Sequence, residues 1–322
     1  MSTSILLIVF GLTLLGVGGE LLLRGAVSLA TRLRISPAVI GLTVVAAGTS
    51  VPELSVSVIA SLHGQADIAV ANVVGSNLFN IGFILGLCAM IRPLAITGNT
   101  IKLEYPVLAI VTFTYIAVAQ DGVINWLDGL LFVAIYLVFT TYVVTLVRRQ
   151  VSEPEGSSLR TEVAELAEVP SPAIGIVIFQ LALGAALLAF GADNTVEGAV
   201  ALAKLIGMSD RVIGLTIVAV GTSLPEIVAT LLSSIRGRDD IAIGNVIGSN
   251  LFNILGILGL SSLFHPIHVD PAITGHDNWW LMGLTLLLFP LMHTGRVIKR
   301  AEGALLFAVY VVYVVMLLAR PA

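Results

Sequence analysis

Two stretches of this chain are near-copies of one another, and each places one carboxylate in an otherwise uncharged apolar run. The first, residues 41 to 62, reads GLTVVAAGTSVPELSVSVIASL; the second, residues 214 to 235, reads GLTIVAVGTSLPEIVATLLSSI, with 11 of 22 positions identical. A second pair follows at the same offset of 226 − 53 = 173 residues: DIAVANVVGSNLFNIGFILG from Asp67 and DIAIGNVIGSNLFNILGILG from Asp240, with 15 of 20 identical. A constant offset across both pairs makes this an internal duplication. Glu53 and Glu226 occupy equivalent positions in it, and their apolar setting limits what the chain can be.

Composition decides the solvent. Of 322 residues, 57% are hydrophobic and 11% charged, with a mean hydropathy of +1.03. A soluble domain carries about 25% charged residues; this chain lacks the polar surface to face water and reads as an integral membrane protein. The single cysteine, Cys88, excludes an intramolecular disulfide and a cysteine metal cluster. The N-terminus, MSTSILLIVF, has no basic region and no small-residue cleavage site, so it is predicted to be a retained spanning helix. No phosphate loop, dinucleotide fingerprint or catalytic triad is present. Neither an enzyme, a cofactor, a nucleic-acid partner nor a protein partner is expected.

Apolar runs near the roughly 20 residues that a span requires fall at 4–31, 37–62, 66–91, 101–119, 124–147, 172–206, 210–235, 240–263, 279–294 and 302–319. The expectation is an all-α membrane protein of ten helices. A first repeat (1–147) and a second (171–322) are joined by a polar linker (148–170), of which 159–169 is a candidate acidic surface helix. The first run of each half is too long for an upright span and should tilt. Lys and Arg set the orientation. With the N-terminus outside, the cytoplasmic connections hold twelve (Arg32, Arg34, Arg92, Lys102, Arg148, Arg149, Arg160, Arg236, Arg238, Arg296, Lys299, Arg300), against Lys204, Arg211 and Arg320 outside. Five helices per half then invert the second copy relative to the first, and inverted repeats hold their site near the midplane. Trp279 and Trp280 suit an interfacial belt.

The segment Gly48-Thr49-Ser50-Val51-Pro52-Glu53 should break its helix. Pro52 has no N–H, its ring opposes the Gly48 carbonyl, and the residue before it is pushed from helical angles. Freed carbonyls in hydrocarbon must face protein or a polar cavity. Thr49, Ser50 and Glu53 supply oxygens on one face, and Thr222, Ser223 and Glu226 repeat the set. The next helices add Ser76 and Asn80, and Ser249 and Asn253. Carboxylates, hydroxyls and amides without His or Cys suit the hard cations Ca²⁺ and Na⁺, not zinc or copper. Glycines such as Gly41, Gly75 and Gly248 are expected to serve close helix packing. The two glutamates resist that structural reading. A charge at the bilayer centre costs roughly 2.5–3.5 kcal/mol on insertion scales, and no Lys or Arg stands beside either in sequence; a neutral, protonated pair is the structural alternative. Glu20 and Arg24, four apart, should pair, whereas their equivalents Asp193 and Glu197 are both acidic and could form an outward cation funnel. Asp67 and Asp240 suit the N-terminal dipoles of their helices.

The duplicated GTSxPE (48–53, 221–226) with GSNLFN (75–80, 248–253) resembles the α-repeats of the sodium/calcium exchanger family, and most of all its compact prokaryotic members. The resemblance covers the whole chain. It implies Na⁺/Ca²⁺ antiport across a plasma (cell inner) membrane by alternating access. It also implies ligands from Ala46 and Ala219 (carbonyls), Thr49, Ser50, Glu53, Ser76, Asn80, Thr222, Ser223, Glu226, Ser249 and Asn253. Some members, including potassium-dependent ones, carry Asp where this chain has Asn253. With Asn80 and Asn253 both neutral, potassium dependence is not expected. A proton/calcium antiporter and a cation channel are the competing readings.

Overall fold

The computed structural model describes residues 2–33, 35–62, 67–96, 99–152, 172–205 and 219–319. Backbone polar groups in hydrocarbon must be satisfied within their own segment, and the chain is accordingly helical. Its helices are α1 (Ser2–Leu33), α2 (Pro37–Thr49), α3 (Val51–Leu62), α4 (Ile68–Ile91), α5 (Thr100–Asp121), α6 (Trp126–Ser152), α7 (Ile174–Leu205), the short α8 (Ala219–Gly221), α9 (Leu224–Ile235), α10 (Asp239–Phe264), α11 (Asn278–His293) and α12 (Arg300–Ala319). Among the described residues, seven helices are long and apolar enough to cross a membrane, or eight if the bent pair α2 and α3 counts as one span. Most of the linker, with Arg160 and the 159–169 segment, lies outside the described residues, as do Arg34, Arg211, Arg320 and residues 206–218.

The helices differ in what they face. In α10, 94% of the most apolar window is buried and in α4 72%, against 17% in α12. The two helices that carry GSNLFN are therefore the centre of the molecule, and the terminal helices turn apolar side chains such as Val312 and Val315 outwards. Both central helices widen into a π-helical stretch, Phe79–Leu85 in α4 and Phe252–Leu258 in α10. Such wide turns recur at functional sites, and these two begin beside Asn80 and Asn253.

Helices α1 and α7 are 32 residues each, about 48 Å at about 1.5 Å per residue. That exceeds the roughly 30 Å hydrocarbon core and requires tilt. They lie against one another along Gly11, Gly18, Gly184 and Gly191. A Cβ at Gly184 would stand 2.6 Å from the Leu22 amide nitrogen, and one at Gly18 2.9 Å from the Gly184 carbonyl oxygen. Gly184→Leu is therefore expected to force the pair apart and lower stability by about 1–3 kcal/mol or more, read as a fall in the detergent-solubilised melting temperature. Gly175→Leu, on the same helix with no atom within 4 Å of where a Cβ would stand, should leave it unchanged. Close packing also holds at Gly41, where a Cβ would lie 2.8 Å from the Ile241 carbonyl oxygen, and at Gly248, against the Leu42 carbonyl. It does not hold at Gly75, which has open space around it.

Two short antiparallel pairings tie the halves together. β1 (Leu94–Ala95) pairs with β4 (Val297–Ile298), with Leu94 opposite Ile298; β2 (Val123–Ile124) pairs with β3 (Ile267–His268), with Ile124 opposite Ile267. At the β1 end, Arg92 bonds the Ser234 carbonyl and pairs with Asp239 at 2.8 Å. Glu20 bonds Arg24 at 2.8 Å, as expected, and also reaches Arg236 at 2.9 Å, clamping α1 to the end of α9. Asp240 stands in the first turn of α10, where its charge suits the helix dipole, and it also pairs with Arg238 at 2.8 Å. Trp279 is exposed at the start of α11, while Trp280 packs on Tyr313 with ring centroids 5.8 Å apart.

Candidate cation site

Both GTSxPE segments break their helix, one residue earlier than the proline rule places it. The residues before proline, Val51 and Leu224, are the first of new helices. The break sits at Ser50 (φ −84°, ψ 14°) and Ser223 (φ −92°, ψ 10°). The reason is positional: Pro52 and Pro225 occupy the second residue of α3 and α9, where a helix has no use for the missing N–H. The chain bends by 49° between α2 and α3. Each serine hydroxyl is thereby turned off its helix and across the molecule.

The hydroxyls cross between the halves. Ser50 Oγ donates to Glu226 Oε1 at 2.8 Å, and Ser223 Oγ donates to Glu53 Oε1 at 3.0 Å. Each glutamate is thus held by the serine of the other copy. Both are buried, at 1% and 2% exposed, and so are Thr49, Ser50, Ser76, Asn80, Ser223, Ser249 and Asn253. Thr49 Oγ1 lies 3.2 Å from the Ala46 carbonyl oxygen and 3.4 Å from Asn245 Oδ1. The Ala46 carbonyl also accepts the Ser50 amide at 3.0 Å, so its helical bond is intact. Ala219 opens α8. Thr222 is set apart from its equivalent Thr49. It is only half-buried and lines a cleft of about 420 Å³ with Pro52, Ser55, Asp193 and Glu197.

Hydrogen-bond satisfaction is incomplete on the motif residues. The second carboxylate oxygens, Glu53 Oε2 and Glu226 Oε2, accept no hydrogen bond, and neither do Asn80 Oδ1 and Asn253 Oδ1; Ser249 Oγ is also unpartnered. Buried polar atoms in native structures are overwhelmingly paired. Four unpaired acceptors and one hydroxyl on the motif residues amount to a set that a cation would satisfy. No ion pair with either carboxylate forms among the described residues, and no group of three or more His, Cys, Asp or Glu converges there. Two carboxylates with neutral oxygens are a donor set of the kind hard cations take.

The motif pattern did not reveal four asparagines. Asn72 donates to Ser57 Oγ at 3.0 Å and to the Glu53 carbonyl at 3.3 Å; its equivalent Asn245 donates to Thr230 Oγ1 at 2.9 Å. Asn77 and Asn250 bond across the halves to Asn253 and Asn80. The signal for them is the duplication itself, since all four are identical at the 173 offset.

Fold and site together define a polytopic membrane protein with unpaired oxygens of two duplicated motifs buried at its centre. The sodium/calcium exchanger protein family matches residues 3–145 and 176–319, and the chain belongs to that family, whose members are transporters rather than enzymes. Over 97% of its length it is 36% identical to the inner membrane protein YrbG of Escherichia coli, covering 95% of that protein. Over 98% it is 32% identical to the sodium/calcium exchanger MaX1 of Methanosarcina acetivorans, covering 99%. Its fold superposes on the sodium-calcium exchanger NCX_Mj with a TM-score of 0.83 at 30% identity, spanning 98% of this chain and 99% of that one.

Proposed function

We propose that this protein exchanges Na⁺ for Ca²⁺ across the cell inner membrane by alternating access. In this reading Glu53 and Glu226 carry the charge of the site, and Thr49, Ser50, Ser76, Asn80, Thr222, Ser223, Ser249 and Asn253, with the Ala46 and Ala219 carbonyls, complete it. The observation that carries it is the set of buried, unpaired acceptors gathered from both halves. Kinship to MaX1 and NCX_Mj supports Na⁺ as the coupling ion.

Ten crossings in two inverted halves also find support. Strand pairing demands that two connections lie on the same side of the bilayer. Between β1 and β4 lie α5, α6, α7, α9, α10 and α11, and between β2 and β3 lie α6, α7, α9 and α10. Taken as crossings these are six and four, even only if α9 belongs to a crossing. The positive residues Arg92, Arg236, Arg238, Arg296, Lys299 and Arg300 then share one side, the cytoplasmic one, and the N-terminus is outside. Cysteine labelling at Ser157 from the periplasmic face of intact cells should fail; efficient labelling there would reject this orientation.

On that orientation the Thr222 cleft lies towards the outer side and the Glu20–Arg24–Arg236 cluster towards the cytoplasmic one. Asp193 and Glu197 would then draw cations towards the site. Asp193→Asn with Glu197→Gln is expected to raise the half-saturating Ca²⁺ concentration several-fold from the outer side at low ionic strength, with little effect at high salt. An unchanged value at low salt would count against the funnel. The overall reading is tested by ⁴⁵Ca²⁺ uptake into proteoliposomes with imposed Na⁺ or pH gradients. Uptake driven by Na⁺ is expected, and unitary currents in a bilayer recording would instead indicate a channel.

A further inference from the structure

Four amides meet where the two halves join. Asn77 Nδ2 donates to the backbone carbonyl oxygen of Asn250 at 3.2 Å. A carbonyl only accepts, so this bond decides which end of the Asn77 amide is nitrogen. Asn77 Oδ1 consequently faces Asn253, whose Nδ2 donates to it at 2.9 Å. With its nitrogen held there, Asn253 has its oxygen at the far end, buried and accepting nothing. In the other half Asn80 Nδ2 donates to Asn250 Oδ1 at 3.2 Å and Asn80 Oδ1 accepts nothing, but Asn250 Nδ2 has no partner, so no bond there decides which end of the Asn250 amide is nitrogen. Asn77 and Asn250 are both fully buried, and neither belongs to the ligand set implied by the motif.

We propose that Asn77 is a positioning residue that holds the Asn253 amide with oxygen, rather than nitrogen, turned to the transported cation. The idea rests on Asn253 being a ligand, as read above. An amide is nearly symmetric in shape but not in charge. Turned end for end, it would present an N–H₂ donor to a cation, changing attraction into repulsion without altering the packing. A neutral ligand needs such a device; a carboxylate, with two equivalent oxygens, does not. This difference separates a positioning role from a merely structural one.

The experiment is a double-mutant cycle on ⁴⁵Ca²⁺ uptake by the full-length protein in proteoliposomes, reading half-saturation and maximal rate separately. Asn253→Leu comes first: a raised half-saturating Ca²⁺ concentration supports the ligand reading, and an unchanged one overturns that reading and this inference with it. Asn77→Leu is then expected to raise half-saturation about tenfold, the loss of one charge-assisted contact, with a smaller effect on maximal rate. In an Asn253→Asp background the same Asn77→Leu change should have no such effect. A cation affinity unchanged by Asn77→Leu, or reduced equally in both backgrounds, would overturn the proposal while leaving the ligand reading intact. Should Asn77→Leu fail to yield folded protein, Asn77→Ala, compared with and without Asn253→Asp, decides by the same criterion.

Discussion

Glutamine at position 53 or 226 is expected to abolish Na⁺-driven Ca²⁺ uptake while the protein still reaches the membrane. Each substitution removes half of the formal charge of the site. A pair of unit charges about 4 Å apart is worth about 4 kcal/mol at an effective dielectric constant near 20, or on the order of 10³ in affinity. A divalent ion held at closer range depends on the charge still more. The fold should survive, because glutamine keeps an acceptor for the crossing serine: Ser223 still has an oxygen at position 53 and Ser50 one at position 226. It also relieves an uncompensated buried carboxylate, so thermal stability should hold or rise. The measurement is ⁴⁵Ca²⁺ uptake normalised to purified protein, with the melting temperature alongside. Near-normal uptake in either variant would return that glutamate to a structural role.

Much of this site was legible because a duplication is its own control. Two glutamates in apolar runs, each one residue after a proline, are hard to explain as packing, and finding the arrangement twice removes coincidence. The helix breaks were legible for the same reason, although the proline rule placed them a residue late. Proline penalises the preceding turn only inside a helix, and both prolines sit in first turns, which shifts the irregular backbone to Ser50 and Ser223. The crossing of each serine to the other half's glutamate was not legible. It depends on how two distant segments meet, which no local pattern encodes. The π-helical widening at Phe79–Leu85 and Phe252–Leu258 was hidden likewise, since apolar side chains satisfy either helical period. Gly75 shows the limit of reading glycine as packing: its copy Gly248 touches the Leu42 carbonyl, whereas Gly75 meets open space. Equivalent positions in a duplicated chain need not have equivalent neighbours. Thr49 and Thr222 repeat the lesson, one sealed and the other on a cleft.

The coupling ion is the second large effect. Glu53 and Glu226 are the titratable groups of the site, so a proton-driven exchange would have to load both as Ca²⁺ leaves, and a pH gradient alone would then drive uptake. The remaining site residues argue for Na⁺. Hydroxyls from Thr49, Ser50, Ser76, Thr222, Ser223 and Ser249 and the amide oxygens of Asn80 and Asn253 are neutral ligands that a proton carrier does not need. They suit monovalent ions spread around two carboxylates. Two carboxylates balance one Ca²⁺ but not three Na⁺, so the 3:1 exchange that the family resemblance implies moves net charge and should respond to membrane voltage. With Asn253 where some family members carry Asp, and Asn80 equally neutral, these positions offer no third carboxylate for a potassium ion. The expected outcome is Ca²⁺ flux that requires Na⁺, ignores K⁺, changes with an imposed membrane potential, and slows in acid. The sign of the last effect is fixed: protonation removes the charge for which Na⁺ and Ca²⁺ compete, and flux recovers as pH rises. Uptake driven by a pH gradient in Na⁺-free vesicles, and unchanged when Na⁺ is added, would reassign the two glutamates as proton carriers.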